Sequence, residues 1–141
     1  LSHYFKQHRQ DYYELLQGTR ENGDWESWLK FFLTGVREVA IEATDTSRRI
    51  VALREDHRSL IADKFGNSGG KAVRLLEHLY RRPVVSVNDV KAILSISFPN
   101  ASALVEKFVS NKLLHEITGN SRNRRFLYAP YVRLFSQIEA N

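Results

Sequence analysis

Apolar positions in the first sixty residues follow a helical period. Tyr4, Phe5, Tyr12, Leu15 and Leu16 fall at roughly helical spacing and predict a helix over about 1–19. Glu21-Asn22-Gly23 ends it, since Asn and Gly tolerate the backbone found just past a helix terminus. Asp24 then stands as an N-cap whose carboxylate accepts from the free N–H groups of the next turn. A long helix follows from about Trp25 to Lys64. Trp25, Phe32, Val39, Thr46, Leu53 and Leu60 recur every seven residues, and Leu29, Val36, Ala43, Ile50 and His57 form a second row. The two rows approximate a heptad seam that would bury against other helices. The seam weakens after Ala43, where Thr46 and His57 enter it, and His57 reads as a polar interruption near a frayed end. Arg48, Arg49, Arg54, Glu55, Asp56 and Arg58 lie on the other faces and read as solvated surface.

Phe65-Gly66-Asn67-Ser68-Gly69-Gly70 holds three glycines in five residues, which stop a helix and permit a link. Beyond it the elements shorten. Ala72, Val73, Leu75, Leu76, Leu79 and Tyr80 make a helix that ends before Pro83, and Val84-Val85 is a brief extended piece. Ser86 with Asp89 three residues on predicts a capping box, opening a helix whose inner side is Val87, Val90, Ile93 and Leu94. Ser95-Ile96-Ser97 is a turn. A third helix runs from about Phe98 to Ser110, with Ala101, Leu104, Val105, Phe108 and Val109 inward, and Asn111 and Lys112 end it. Leu113–Ile117 and Arg124–Tyr128 read as strands around a turn at Thr118–Asn123, and Pro130 starts a closing helix to about Glu139.

That order is a winged helix-turn-helix. The fold class is therefore mainly α with an α+β tail: a helical hairpin with one very long helix, then a winged helix-turn-helix domain. The divisions are 1–66, a linker at 67–70, and 71–141.

Charge separates the same halves. Residues 1–66 hold 10 Lys and Arg against 11 Asp and Glu, a net of −1; residues 67–141 hold 11 against 5, a net of +6. A polyanion would be met by the C-terminal half. The chain has no cysteine, which excludes disulfides and thiolate metal sites and points to the reducing cytoplasm. His3, His8, His57, His78 and His115 are scattered without metal-ligand spacing, so no metal site is expected. No run of 18 apolar residues occurs, so no membrane partner is expected. A chain that begins at Leu1 and contains no methionine is expected to be a piece of a longer protein.

Several N-terminal residues carry a family likeness. Leu1-Ser2-His3-Tyr4-Phe5, His8-Arg9, Tyr12-Tyr13 and the stretch Gly23-Asp24-Trp25-Glu26, Trp28-Leu29, Phe31-Phe32-Leu33, Gly35-Val36 resemble the C-terminal helices of Fic proteins. Ser97-Phe98-Pro99-Asn100-Ala101 and Leu114-His115-Glu116-Ile117-Thr118-Gly119 are similar to the winged-helix tail of many bacterial Fic proteins. The resemblance implies a C-terminal regulatory or targeting module of a protein AMP-transferase, with the upstream Fic domain as a partner. ATP and magnesium would belong to that full-length parent alone. The family signature, His-x-Phe-x-Asp/Glu-Gly-Asn-Gly-Arg-x-x-Arg, has no match here, so no catalytic residue is carried over and the fragment is expected to be inactive. His115–Arg125 echoes it superficially, but it has Ile117 for Phe, lacks an acid before Gly119, and lies between strands. It reads as a hairpin turn with a basic tip.

Two functions remain. Asn100, Ser102 and Lys107 on the third short helix, with Asn120, Arg122, Asn123, Arg124 and Arg125 on the hairpin tip, would contact DNA. The alternative is a protein-interaction or dimerisation module without nucleic-acid binding. Trp25, Trp28, Phe32, Val36 and Val39 present aromatic and aliphatic surface that a second copy would cover, so a homodimer is expected.

Overall fold

Both caps anticipated from the sequence form. Asp24 Oδ1 accepts from the Ser27 N–H at 3.1 Å. Ser86 Oγ accepts from the Asp89 N–H at 3.2 Å while Asp89 Oδ2 accepts from the Ser86 N–H at 2.7 Å, closing a reciprocal capping box. These contacts come from a computed structural model of the chain, which describes residues 1–136. The elements are α1 (Ser2–Gln7), α2 (Arg9–Asn22), α3 (Trp25–Lys64), a 3-10 turn (Gly66–Ser68), α4 (Gly69–Leu79), β1 (Val84–Ser86), α5 (Val87–Leu94), α6 (Phe98–Ser110), β2 (His115–Glu116), β3 (Arg125–Leu127) and α7 (Ala129–Ser136). The predicted end of the closing helix near Glu139 lies outside the described residues. The architecture is mainly helical with one small antiparallel sheet, in the arrangement of a winged helix. Among the described residues no helix is long and apolar enough to cross a membrane.

The chain forms two compact units, Leu1–Arg48 and the remainder from Arg49 onward. In the first, the single helix expected over 1–19 is two. His8, at φ −102 and ψ 40, interrupts the run between α1 and α2. The interruption accompanies a cluster of rings: Tyr4 and Phe5 both reach Phe31, at 5.4 and 5.9 Å between centroids, and Tyr12 meets Trp28 edge-on at 5.4 Å. Gly23, at φ +70, takes the left-handed cap that ends α2.

Gly35 gives Tyr4 its seat. A Cβ built there would lie 2.5 Å from Tyr4 Cδ1 and 2.6 Å from Cε1, inside van der Waals contact. Alanine at 35 would gain roughly 1 kcal/mol of helix propensity and lose about 1–3 kcal/mol to overpacking. Gly35→Ala is therefore expected to lower stability by about 1 kcal/mol. The check is a denaturant midpoint together with Tyr4 ring resonances: unchanged resonances and a raised midpoint would show that the ring does not rest on this glycine.

In the second unit the sheet has the order β1-β3-β2, all antiparallel, with Val85 opposite Phe126 and Glu116 opposite Phe126 on the other side. The hairpin forms as expected, and Val84-Val85, expected as a brief extended piece, joins it as the third strand of the sheet. The first hairpin strand is shorter than the expected 113–117, although the Ile117 N–H still donates to the Arg125 carbonyl at 3.0 Å. Leu75, Leu76 and Leu79 of α4, Val90 of α5, Val105 and Phe108 of α6, and Val85 and Phe126 of the sheet form one buried core.

Ile61 and Phe65 belong to that core, each only 1% exposed. The glycine-rich stretch read as a linker at 67–70 is thus ordered into the 3-10 turn and the first turn of α4, and the last turns of α3 are part of the winged-helix unit. Glycine permits a link but does not require one. Here a buried phenylalanine on one side and Ala72 on the other fix the path.

His57 is likewise no frayed interruption. Its Nδ1 lies 2.6 Å from the Tyr128 hydroxyl, which lies 3.1 Å from that of Tyr80. Tyr128 is fully buried, and its hydroxyl, by donating to one partner and accepting from the other, satisfies the whole chain of groups.

Candidate nucleic-acid interface

Helix α6 presents Phe98, Pro99, Asn100, Ala103 and Glu106 to solvent, with Ser102 half-buried at the edge. The face exists because Ala101, Leu104, Val105 and Phe108 take the other side of the helix into the core. Two clefts border it. On the wing side, a space of about 560 Å³ is lined by Ser102 and Phe98 together with Asn88 from α5 and Arg122, Asn123 and Arg125 from the hairpin. On the other side, a space of about 370 Å³ is lined by Asn100, Ala103 and Lys107 of α6 with Ser68 and Lys71.

The side chains expected to contact DNA thus divide. Asn100 opens onto one cleft; Ser102, Arg122, Asn123 and Arg125 line the other. Asn120 is exposed on the turn but lines neither of these two clefts. Asn123 has φ +55, a left-handed conformation that Asn adopts more readily than most residues, and Gly119 at +63 provides the other such point in the turn.

Two of the expected cations are already engaged. Arg124 donates to Glu106 of α6 at 2.9 Å, lies 3.7 Å from Glu116 of β2, and stacks over the Phe126 ring at 5.3 Å. It fastens the wing to α6. Lys107 Nζ donates to the Phe65 carbonyl at 3.2 Å and lies 5.1 Å from the Phe65 ring centroid. That carbonyl, where α3 ends, also accepts from the Ser68 N–H at 3.1 Å and from the Ser68 hydroxyl at 2.7 Å, so the ammonium is a further donor to it. Neither Arg122 nor Arg125 makes such a side-chain hydrogen bond or ion pair among the described residues, although the charge of Arg125 helps to hold the Asp89 carboxylate ionised.

Sequence reasoning missed Lys71, which begins the winged-helix division and was not among the residues expected to contact DNA, and Phe98, counted only as the start of a helix. Phe98 is 49% exposed. Its signal was available: the buried positions of α6 fall at 101, 104, 105 and 108, and Phe98 precedes a proline at the helix's first turn.

In the first turn of α5, Asp89 is held below the ordinary carboxylate range by the Ser86 backbone and side-chain hydrogen bonds. Its role is the cap, and the charge it keeps sits at the N-terminus of α5, where the helix dipole favours an anion.

The expected self-association residues also divide. Trp25 is 63% and Val36 41% exposed, while Trp28 and Phe32 are half-buried against the rings of α1 and α2, and Val39 is half-buried.

No family model matches the chain, and no curated protein matches it. Among solved structures, the chain is similar to a MarR family transcriptional regulator from Silicibacter pomeroyi DSS, at 15% identity and a TM-score of 0.40, over 87% of this chain and 79% of that one. The likeness to Fic proteins is not sustained by these findings, and with it go the AMP-transferase parent and the upstream Fic domain as a partner. The residues that suggested it have local explanations. Gly23 is a left-handed cap, Asp24 caps α3, Gly35 accommodates Tyr4, and the aromatic residues pack on one another. Such a helical hairpin makes these demands in any protein, whatever its ancestry.

Proposed function

We propose that the winged-helix unit binds duplex DNA, with α6 in the major groove and the wing against the phosphate backbone. The observation that carries this reading is the pair of clefts along α6. Each holds cations: Lys71 and Lys107 on one side, Arg122 and Arg125 on the other. A helix lying in a major groove meets a phosphate ridge on either side, and cations flanking the helix answer that shape. Arg124 positions the wing through Glu106 and contributes less to direct contact. The cytoplasmic location expected from the absence of cysteine goes with this role.

Affinity measured across salt concentrations tests it. Phosphate contacts by Lys71, Arg122 and Arg125 give a log–log slope of about −3. Arg122→Ala/Arg125→Ala is expected to flatten the slope by about 2 and weaken binding to every sequence alike. Absence of binding at ~20 mM salt, where screening is weak, would sink the DNA reading and leave the protein-docking alternative.

A second copy of the chain is the proposed partner of the N-terminal unit. Trp25, Leu29 and Val36 lie along the two heptad rows of α3, yet are 63%, 51% and 41% exposed in the single chain. Pairing would bring two winged helices to one duplex, as symmetric half-sites require. Light scattering that finds a monomer from ~1 to ~100 μM, well above the range of stable dimers, would remove this partner.

A further inference from the structure

The base-facing chemistry of α6 is narrow. Its one cation, Lys107, donates to the Phe65 carbonyl. Its one carboxylate, Glu106, accepts from Arg124 at 2.9 Å. Guanine is read in the major groove chiefly by Arg or Lys on O6 and N7, and cytosine by a carboxylate on its N4 amine. Both kinds of reader on this helix are occupied. What remains exposed is Asn100, Phe98 and Ala103, with Ser102 at the edge. An Asn amide matches adenine N6 and N7 in a paired hydrogen bond, and apolar Phe and Ala side chains match the thymine methyl.

We propose that this surface discriminates for A·T base pairs, with Asn100 reading adenine and Phe98 the thymine methyl. The inference rests on the DNA-binding reading above and names the sequence class of that site. It also gives the 49% exposure of Phe98 a role: a ring outside the buried positions of α6 is free to meet a methyl on the ligand.

Three duplexes of equal length and charge test it with the full chain: one rich in A·T, the same with every thymine replaced by uracil, and one rich in G·C. The A·T duplex is expected to bind about 10-fold or more tightly than the G·C duplex, since one well-placed base contact is worth about 1–3 kcal/mol of discrimination. Removing the thymine methyls is expected to weaken binding several-fold. Phe98→Ala should abolish the difference between thymine and uracil, and Asn100→Ala should narrow the ratio of A·T to G·C affinity. Both side chains are exposed, and circular dichroism of each variant checks the fold. Equal affinity for all three duplexes, with a steep salt slope retained, would overturn the base preference and leave DNA binding standing. No binding to any duplex at low salt would overturn both. A uracil effect that survives Phe98→Ala would overturn the assignment of the methyl to that ring.

Discussion

Phe65→Ala is expected to destabilise the winged-helix unit by about 3–5 kcal/mol, the usual cost of deleting a buried phenylalanine. The ring is 1% exposed, packs edge-on against Phe108 at 5.2 Å, and lies under the Lys107 ammonium at 5.1 Å. Its removal opens a void between the end of α3 and the last turn of α6. Fixed helices on both sides limit collapse into that void. In a domain of this size each 1 kcal/mol moves the midpoint by about 4–8 °C, so the shift should exceed about 12 °C by calorimetry. A change below ~1 kcal/mol would mean that the stretch after α3 behaves as a tether and not as part of the core.

Tyr128→Phe is the second large effect, at about 1–3 kcal/mol. The substitution keeps the buried ring and deletes only the hydroxyl, which leaves His57 Nδ1 and the Tyr80 hydroxyl each without a partner. It also connects stability to acid. Burial lowers the His57 value below its ordinary 6.5, and the Asp56 carboxylate opposes that only in part. The folded state therefore prefers the neutral ring. As pH falls below 6.5 the unfolded chain takes up a proton that the folded chain still refuses, so stability falls. The loss continues until the folded ring also protonates. Above 6.5 both states are neutral and this group adds no slope. Urea unfolding at pH 7.5, 6.5 and 5.5 is expected to show this decline in the native chain and a flatter profile in His57→Gln. An identical slope in both chains would assign the acid sensitivity to other groups.

What the sequence made legible was local. The Asp24 cap, the Ser86–Asp89 box and the left-handed glycine at 23 depend on residues a few positions apart, and each formed as expected, as did the helical period apart from the break at His8. The order of elements then sufficed for the winged helix. What escaped depends on residues far apart in the chain. His57 finds Tyr128 across 71 positions, and Lys107 finds the Phe65 carbonyl across 42. No periodicity encodes such pairs. The glycines at 66, 69 and 70 misled for a related reason: composition reports what a backbone is free to do, and the neighbouring core decides what it does. At the candidate interface, the wing residues were legible as charge. That Arg124 is internally paired, and that Phe98 is exposed, required the fold.

The Glu106–Arg124 pair has a consequence for sequence variation. The two residues stand 18 positions apart, and Arg124, which also lies 3.7 Å from Glu116, is the cation that opposes the Glu106 carboxylate. Losing the arginine would leave an unopposed carboxylate on the face meant for a polyanion. Losing the glutamate would free Arg124 from α6 and leave it to Glu116. Descendants of this chain should therefore retain both, exchange both, or lose both, and the pair should vary as a single inherited character.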